Sequence, residues 1–251
     1  MLHSKDTGTQ SVMSKRRVGK ALAETLDAIL VDHGFLALKG GYARRYGRSR
    51  IDVIQVENFN RASHLKWGTT PYSFALPVGF FLTFAPSFYS PLVPQDELGN
   101  LLPGTTICHV RGSPKKHLLQ RECDIPNIWY VDPDGRSFDD VLRDVRNVLE
   151  KDVIPWFDRF SDLRALLQML REDPDEFSKS NDCWGWGGIN SPVRLALTGF
   201  LALELEQWNL AAGCFRGVLE KGGLAALSGS IEVDHLMREK LEIAAAHLTE
   251  L

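Results

Sequence analysis

Apolar residues at Val18, Leu22, Leu26, Ile29 and Leu30 recur at helical spacing, which predicts a helix over residues 15–33 with one face on a core. Gly34 is the expected stop, because glycine accepts the left-handed backbone that ends helices. Strand-like stretches follow at residues 35–46, interrupted at Gly40 and Gly41, and at residues 50–58, with Gly47, Arg48 and Ser49 as the turn between them. Over residues 72–84, Tyr72, Phe74, Leu76, Val78, Phe80, Leu82 and Phe84 occupy alternate positions, the period of a strand with one buried face. Pro77 lies on the opposite parity and predicts an edge or a bulge. Residues 85–121 are rich in proline and glycine without clear periodicity, a length that predicts short elements or a function within them.

Residues 128–131 read as a fourth strand, closed by the turn Asp132-Pro133-Asp134-Gly135. Ser137, with Asp140 three residues on, resembles a helix N-cap ahead of Val141, Leu142, Val145, Val148 and Leu149. Pro155 fits the first turn of the next helix, which runs to about Arg171. A polar loop leads to Cys183-Trp184-Gly185-Trp186-Gly187-Gly188, and three helices are expected at residues 193–206, 208–221 and 231–248. The predicted class is therefore α+β. An antiparallel sheet of about four strands is covered by helices and followed by a small helical C-terminal region. The expected division is a flexible leader (1–14), an α+β domain (15–174) and a helical region (175–251).

With 44% hydrophobic and 24% charged residues in 251, the chain can bury a core without covalent staples. Its four cysteines have no framework spacing, and no apolar run reaches the roughly 20 residues of a membrane span. The polar N-terminus lacks a signal-peptide apolar core, so a cytoplasmic location and no membrane partner are expected. The formal charge of -3 gives no overall pull toward polyanions. Residues 15–50, however, carry nine basic side chains against Glu24, Asp27 and Asp32.

That basic stretch frames the candidate chemistry. Arg44, Arg48 and Arg50 stand beside Tyr42 and Tyr46 around one turn, a combination that can hold phosphates and stack on bases, or meet an acidic protein. The bland alternative is an exposed hairpin whose charges protect an edge strand. Trp184 and Trp186 among glycines can anchor an interface or seal one within the chain. Gly199, Ala202, Ala211 and Phe215 have the spacing of one tetratricopeptide-like helical hairpin. Cys108, His109, His117 and Cys123 have ligand chemistry without chelating spacing, and Asp132 to Gly135 lacks the rest of a calcium loop. No nucleophile elbow, phosphate loop or dinucleotide fingerprint is present. The expected site is thus a binding surface at Tyr42, Arg44, Tyr46, Arg48, Trp184 and Trp186, with no catalytic residue, metal or cofactor assigned.

The ordered set of His33-Gly34-Phe35, the strand 42–46, Ile51-Asp52-Val53-Ile54-Gln55-Val56, Ile128-Trp129-Tyr130-Val131 and Val153-Ile154-Pro155-Trp156-Phe157-Asp158 resembles a bacterial family known only as a domain of unknown function. The resemblance covers about residues 15–170. Such families are seen near toxin and immunity genes, which implies a non-enzymatic protein-binding module, with an immunity-type protein as its specific form. A nucleic-acid-associated protein using the basic hairpin is the alternative, and an unrecognised enzyme a third.

Overall fold

The computed structural model describes residues 13–88, 90, 92–172, 191–224 and 231–249. Helix α1 (Lys15–Leu30) starts where the Ser14 hydroxyl accepts a hydrogen bond from Arg17 N. It buries Val18, Leu22, Leu26, Ile29 and Leu30. The chain leaves it through a short 3-10 turn closed by Gly34 at φ 80°. Strands β1 (Tyr42–Tyr46) and β2 (Arg50–Gln55) form the expected hairpin. After β3 (Glu57–Asn58) comes helix α2 (Arg61–Trp67), capped by the Asn60 side chain on Ser63 N. Strands β4 (Phe74–Ala75), β5 (Val78–Leu82) and β6 (Val110–Gly112) follow.

The class is α+β, with a four-stranded antiparallel sheet ordered β1-β2-β5-β6 and a separate β3-β4 pair. Two sequence expectations need correction. Residues 72–84 are not one strand, because the chain switches sheets across Leu76 and Pro77. Every residue of β5 is buried, so the sheet is covered on both faces. The fourth strand is β6, not residues 128–131. Those residues reach the β3-β4 pair only through the Phe74–Trp129 bridge. Side chains satisfy much of their backbone instead. The Gln120 amide bonds Tyr130 N and O, Ser73 Oγ accepts from Val131 N, and Lys116 Nζ donates to Ile128 O. Trp129 stacks on Phe74 and donates to the buried Asp144 at 2.8 Å.

Helix α3 (Phe138–Val148) is capped differently from expectation. Ser137 makes no side-chain cap. Asp132 accepts from Arg136 N, Ser137 N and Ser137 Oγ, which orders the turn that leads into the helix. A π-helical turn, Leu149–Val153, joins α3 to α4 (Ile154–Arg159), and Pro155 occupies the first turn of α4. Helices α5 (Leu163–Glu172), α6 (Pro192–Glu204), α7 (Trp208–Glu220) and α8 (Ile231–Thr249) complete the fold.

One continuous cluster of buried residues runs from α1 through the inner sheet face, α3, α4 and α5 to α6, α7 and α8. Arg194 on α6 donates to Leu170 O and Met169 O at the end of α5, and Phe88 meets Phe200. The expected boundary near Pro174 lies outside the described residues. Among the described residues no helix is long and apolar enough to cross a membrane.

Candidate functional site

Strand parity sorts the basic hairpin into two unlike faces. Tyr42, Arg44 and Tyr46 alternate with Ala43 and Arg45, and the fully buried Ala43 belongs to the inner core. The first three side chains therefore stand on the outer face.

There they meet residues 94–102, which form an ordered arm within the proline- and glycine-rich stretch. Asp96 Oδ1 accepts from Leu98 N and Asn100 N, and Oδ2 accepts from Asn100 Nδ2. Leu102 N donates to Pro94 O, and a bridge links Gln95 to Leu101. These bonds, led by that of the Asn100 side chain, hold the Asp96 carboxyl below the usual carboxylate range. Arg44 Nε donates to Pro103 O at 3.0 Å and Tyr46 Oη to Leu101 O at 3.1 Å, pinning the arm to β1. The Arg44 guanidinium also lies 4.7 Å above the Tyr42 ring. Beneath, Tyr42, Val93 and Leu101 cover Ile51, Val53, Phe81 and Cys108. Burial pushes the Tyr46 phenol up, with Arg44 opposing the shift and Asp96 adding to it.

The arm is fixed at its base and apolar at its tip. Leu98 is 87% exposed, Leu92 79% and Tyr46 42%. Arg48, at the turn between β1 and β2, is exposed as well. A small cleft lies further along this outer face, where Gln55, Glu57, Arg111 and Gly112 meet.

The inner face has a different chemistry. Arg45 and Asp52 are register partners, so Arg45 Nε donates to Asp52 Oδ2 at 2.7 Å. Arg50, two residues before Asp52 on the same face, donates to the same oxygen at 3.1 Å. Its Nε lies 2.8 Å from Asp52 Oδ1, an ion-pair contact and not a directed hydrogen bond. Arg50 also donates to Phe157 O and Phe160 O at the end of α4. The negative end of that helix favours a cation there. Asp52 is 2% exposed and Arg50 7%, so these two members of the triad tie the sheet to α4 away from solvent, while the partly exposed Arg45 also pairs with Asp158 at 3.3 Å.

The structure thus places Tyr42, Arg44 and Tyr46 on the outer face of the sheet, leaves Arg48 exposed at the turn, and puts Arg50 on the inner face with Arg45 and Asp52. Trp184 and Trp186 lie outside the described residues. Asp96 three positions before Gly99 is a turn signal in the sequence, but nothing there marks Leu98 as exposed at the tip of that turn. The four residues with ligand chemistry are dispersed into different roles. His109 is buried, with Nδ1 accepting from Leu82 N and Nε2 on Pro86 O, so both ring nitrogens are occupied. His117 pairs with Asp152 at 2.7 Å, Cys108 lies under the arm, and Cys123 packs near Trp67. Among the described residues no group of three His, Cys, Asp or Glu side chains is placed to hold a metal ion. No protein-family model matches the chain, and no curated protein or solved structure is significantly similar to it.

Proposed function

We propose that the chain is a protein-binding module whose contact surface is the arm at residues 94–102 together with Tyr46 and Arg48, acting as an immunity-type protein that occludes a cognate toxin. The observation that carries this reading is Leu98. It is 87% exposed at the tip of a turn held by Asp96 and anchored through Leu101, Leu102 and Pro103. A large apolar side chain on a fixed support loses little conformational freedom on binding, which is how interface anchors gain affinity. The surface around it mixes Arg44 and Arg48 with Asp96 and Glu97, a polar rim suited to a protein partner.

The nucleic-acid alternative is less well supported by the same geometry. Arg44 is engaged with main-chain carbonyls, and Arg45 and Arg50 share Asp52. Of the hairpin arginines, Arg48 has the exposure that phosphate contact needs.

The test is protection. Cells carrying each protein encoded beside this gene are scored for growth with the intact chain, with Leu98→Glu and with Tyr46→Ala. Rescue by the intact chain and its loss in Leu98→Glu support the reading. If no neighbouring product is neutralised, or Leu98→Glu protects fully, the immunity reading is wrong.

A further inference from the structure

Helix α2 contains no buried residue, yet it is fixed at both ends. Asn60 Oδ1 accepts from Ser63 N at 2.9 Å, and Gly68 stops the helix at φ 63°. His64 Nδ1 lies 3.0 Å from Thr69 Oγ1, a further tie at the same end. A helix this short is marginal in water without packing, so these ties hold up a face that the rest of the chain leaves open. On that face Leu65 is 84% exposed, one turn from Arg61 and next to Lys66. The helix has no acidic residue. Lys66 Nζ lies 5.6 Å from the centre of the Trp67 ring.

Beside the helix lies a cleft of about 420 Å³ with the opposite charge. A Cβ at Gly68 would lie 3.9 Å from the Glu122 carbonyl oxygen, and Trp67 and Tyr130 cover the same buried cluster. Leu119, Glu122, Tyr130, Asp132, Arg136 and Asp140 line the cleft, and Leu119 is 97% exposed. Arg136 pairs with Asp134, and Asp140 with Arg143. Two carboxylates are left without a counter-charge. Asp132 accepts from uncharged donors, and Glu122 makes no ion pair or hydrogen bond among the described residues. The Tyr130 phenol feels this field. Burial raises its pKa first, and Glu122, Asp132 and Asp134 raise it further.

One surface thus sets a cationic ridge with an exposed leucine next to an acidic cleft with another. We propose that this surface binds a second copy of the chain about a two-fold axis, with α2 of each copy against the acidic cleft of the other. A closed two-fold contact uses the same patch on both subunits, so the patch must complement itself, as a ridge and a cleft of opposite charge do. Lys66 and Glu122 form no ion pair within the chain, and across the axis each meets its counterpart on the other copy. Leu65 and Leu119 leave water together in the same contact. The arm at residues 94–102 takes no part, and neither reading depends on the other.

Sedimentation velocity of the full chain across a range of micromolar concentrations tests the proposal. A monomer–dimer equilibrium is expected, weaker as salt rises to about 0.5 M. Lys66→Glu and Glu122→Lys should each weaken the dimer about tenfold or more. The double variant Lys66→Glu/Glu122→Lys exchanges the two charges and should recover most of that loss. Leu65→Glu should abolish the dimer, whereas Leu98→Glu on the arm should leave it intact. All four positions are exposed, and thermal melts check that each variant folds. The proposal is overturned if the chain stays monomeric at the highest concentration. It is also overturned if either charge reversal leaves the dimer as it was, if the double variant recovers nothing, or if Leu98→Glu dissociates it.

Discussion

The ring of Phe215 fills the space in which a side chain at Gly199 would begin. A Cβ at Gly199 would lie 2.8 Å from Phe215 Cε1, closer than carbon atoms approach without a shift. Both residues are buried where α6 meets α7. Gly199→Ala gains about 1 kcal/mol of helix propensity but overpacks the contact by about 1–3 kcal/mol, so a net loss is expected. Gly199→Val should lose more, and Phe215→Ala about 3–5 kcal/mol through the cavity it leaves. The double variant Gly199→Ala/Phe215→Ala should lose less than the two single losses added, because the cavity accepts the new methyl group. Urea unfolding of the four proteins checks this, and strict additivity would place the two residues out of contact.

Asp52 neutralises two guanidinium groups beneath α4. Asp52→Asn should therefore cost about 3–5 kcal/mol, much of it from leaving the buried Arg50 without a counter-charge, while Arg45 keeps Asp158 at 3.3 Å. Arg48→Ala at the exposed turn should stay within about 0.5 kcal/mol of the parent. Equal unfolding midpoints for the two variants would contradict the buried triad.

His109 gives the fold a pH dependence. Burial holds its imidazole down at about 4, against an ordinary value near 6.5. Above about pH 6.5 both folded and unfolded chains hold it neutral, and its full contribution is present. As pH falls toward 4 the unfolded chain takes up a proton that the folded chain refuses, so stability declines by about 3 kcal/mol and levels off below that. Unfolding free energies at pH 7, 5.5 and 4 measure the decline. His109→Gln should be less stable at pH 7 but show a flatter profile over this range.

Asp132 holds the turn ahead of α3 with one carboxylate serving two backbone amides and a hydroxyl. Asp132→Ala should cost about 1.5–3 kcal/mol, the range for hydrogen bonds to a charged group. Ser137→Ala should cost less, since it removes one of these three bonds and leaves the carboxylate in place. Thermal melts of the two variants give the order directly.

Cys214 sits where burial pushes its thiol up to about 11, with Arg171 pulling weakly the other way. Cys108 is shifted upward by burial as well. At pH 8 both should resist iodoacetamide in the folded chain and react once urea exposes them, as peptide mass spectrometry will show. Rapid labelling of either in the folded protein would mean that its cover opens.

The elements that sequence made legible are those whose pattern has one cause. Helix α1 has a single buried stripe and a glycine stop, and α6 and α7 show small residues where their backbones approach. The sheet was harder, because β5 is buried on both faces and its alternation carries no information about which side is inner. Gly79 illustrates the point. It is bare because Cys108 and the Val110 carbonyl lie on it, at 2.8 Å from any Cβ, a packing relation with a distant segment. Strand β6 has three residues with Arg111 in the middle, too short for periodicity to mark. Residues 128–131 have strand-like composition, yet side chains of Gln120, Ser73 and Lys116 stand in for neighbouring strands. At the site, the Tyr42, Arg44 and Tyr46 face follows from parity. The separation of Arg50 needed the register that sets Arg45 opposite Asp52.

The π-helical turn at Leu149–Val153 makes the spacing between α3 and α4 a matter of residue count as well as residue type. A π turn is one residue longer than a regular turn, and here it lies just before Pro155, whose ring would crowd the carbonyl of a regular helix. Removing one residue between Leu149 and Val153 would regularise the helix and rotate all that follows by about 100°, one residue's share of a turn. Ile154, Trp156 and Phe157 would then leave the core, and Phe157 O and Phe160 O would no longer meet Arg50. Relatives of this chain should therefore tolerate substitutions across this turn far more readily than changes in its length.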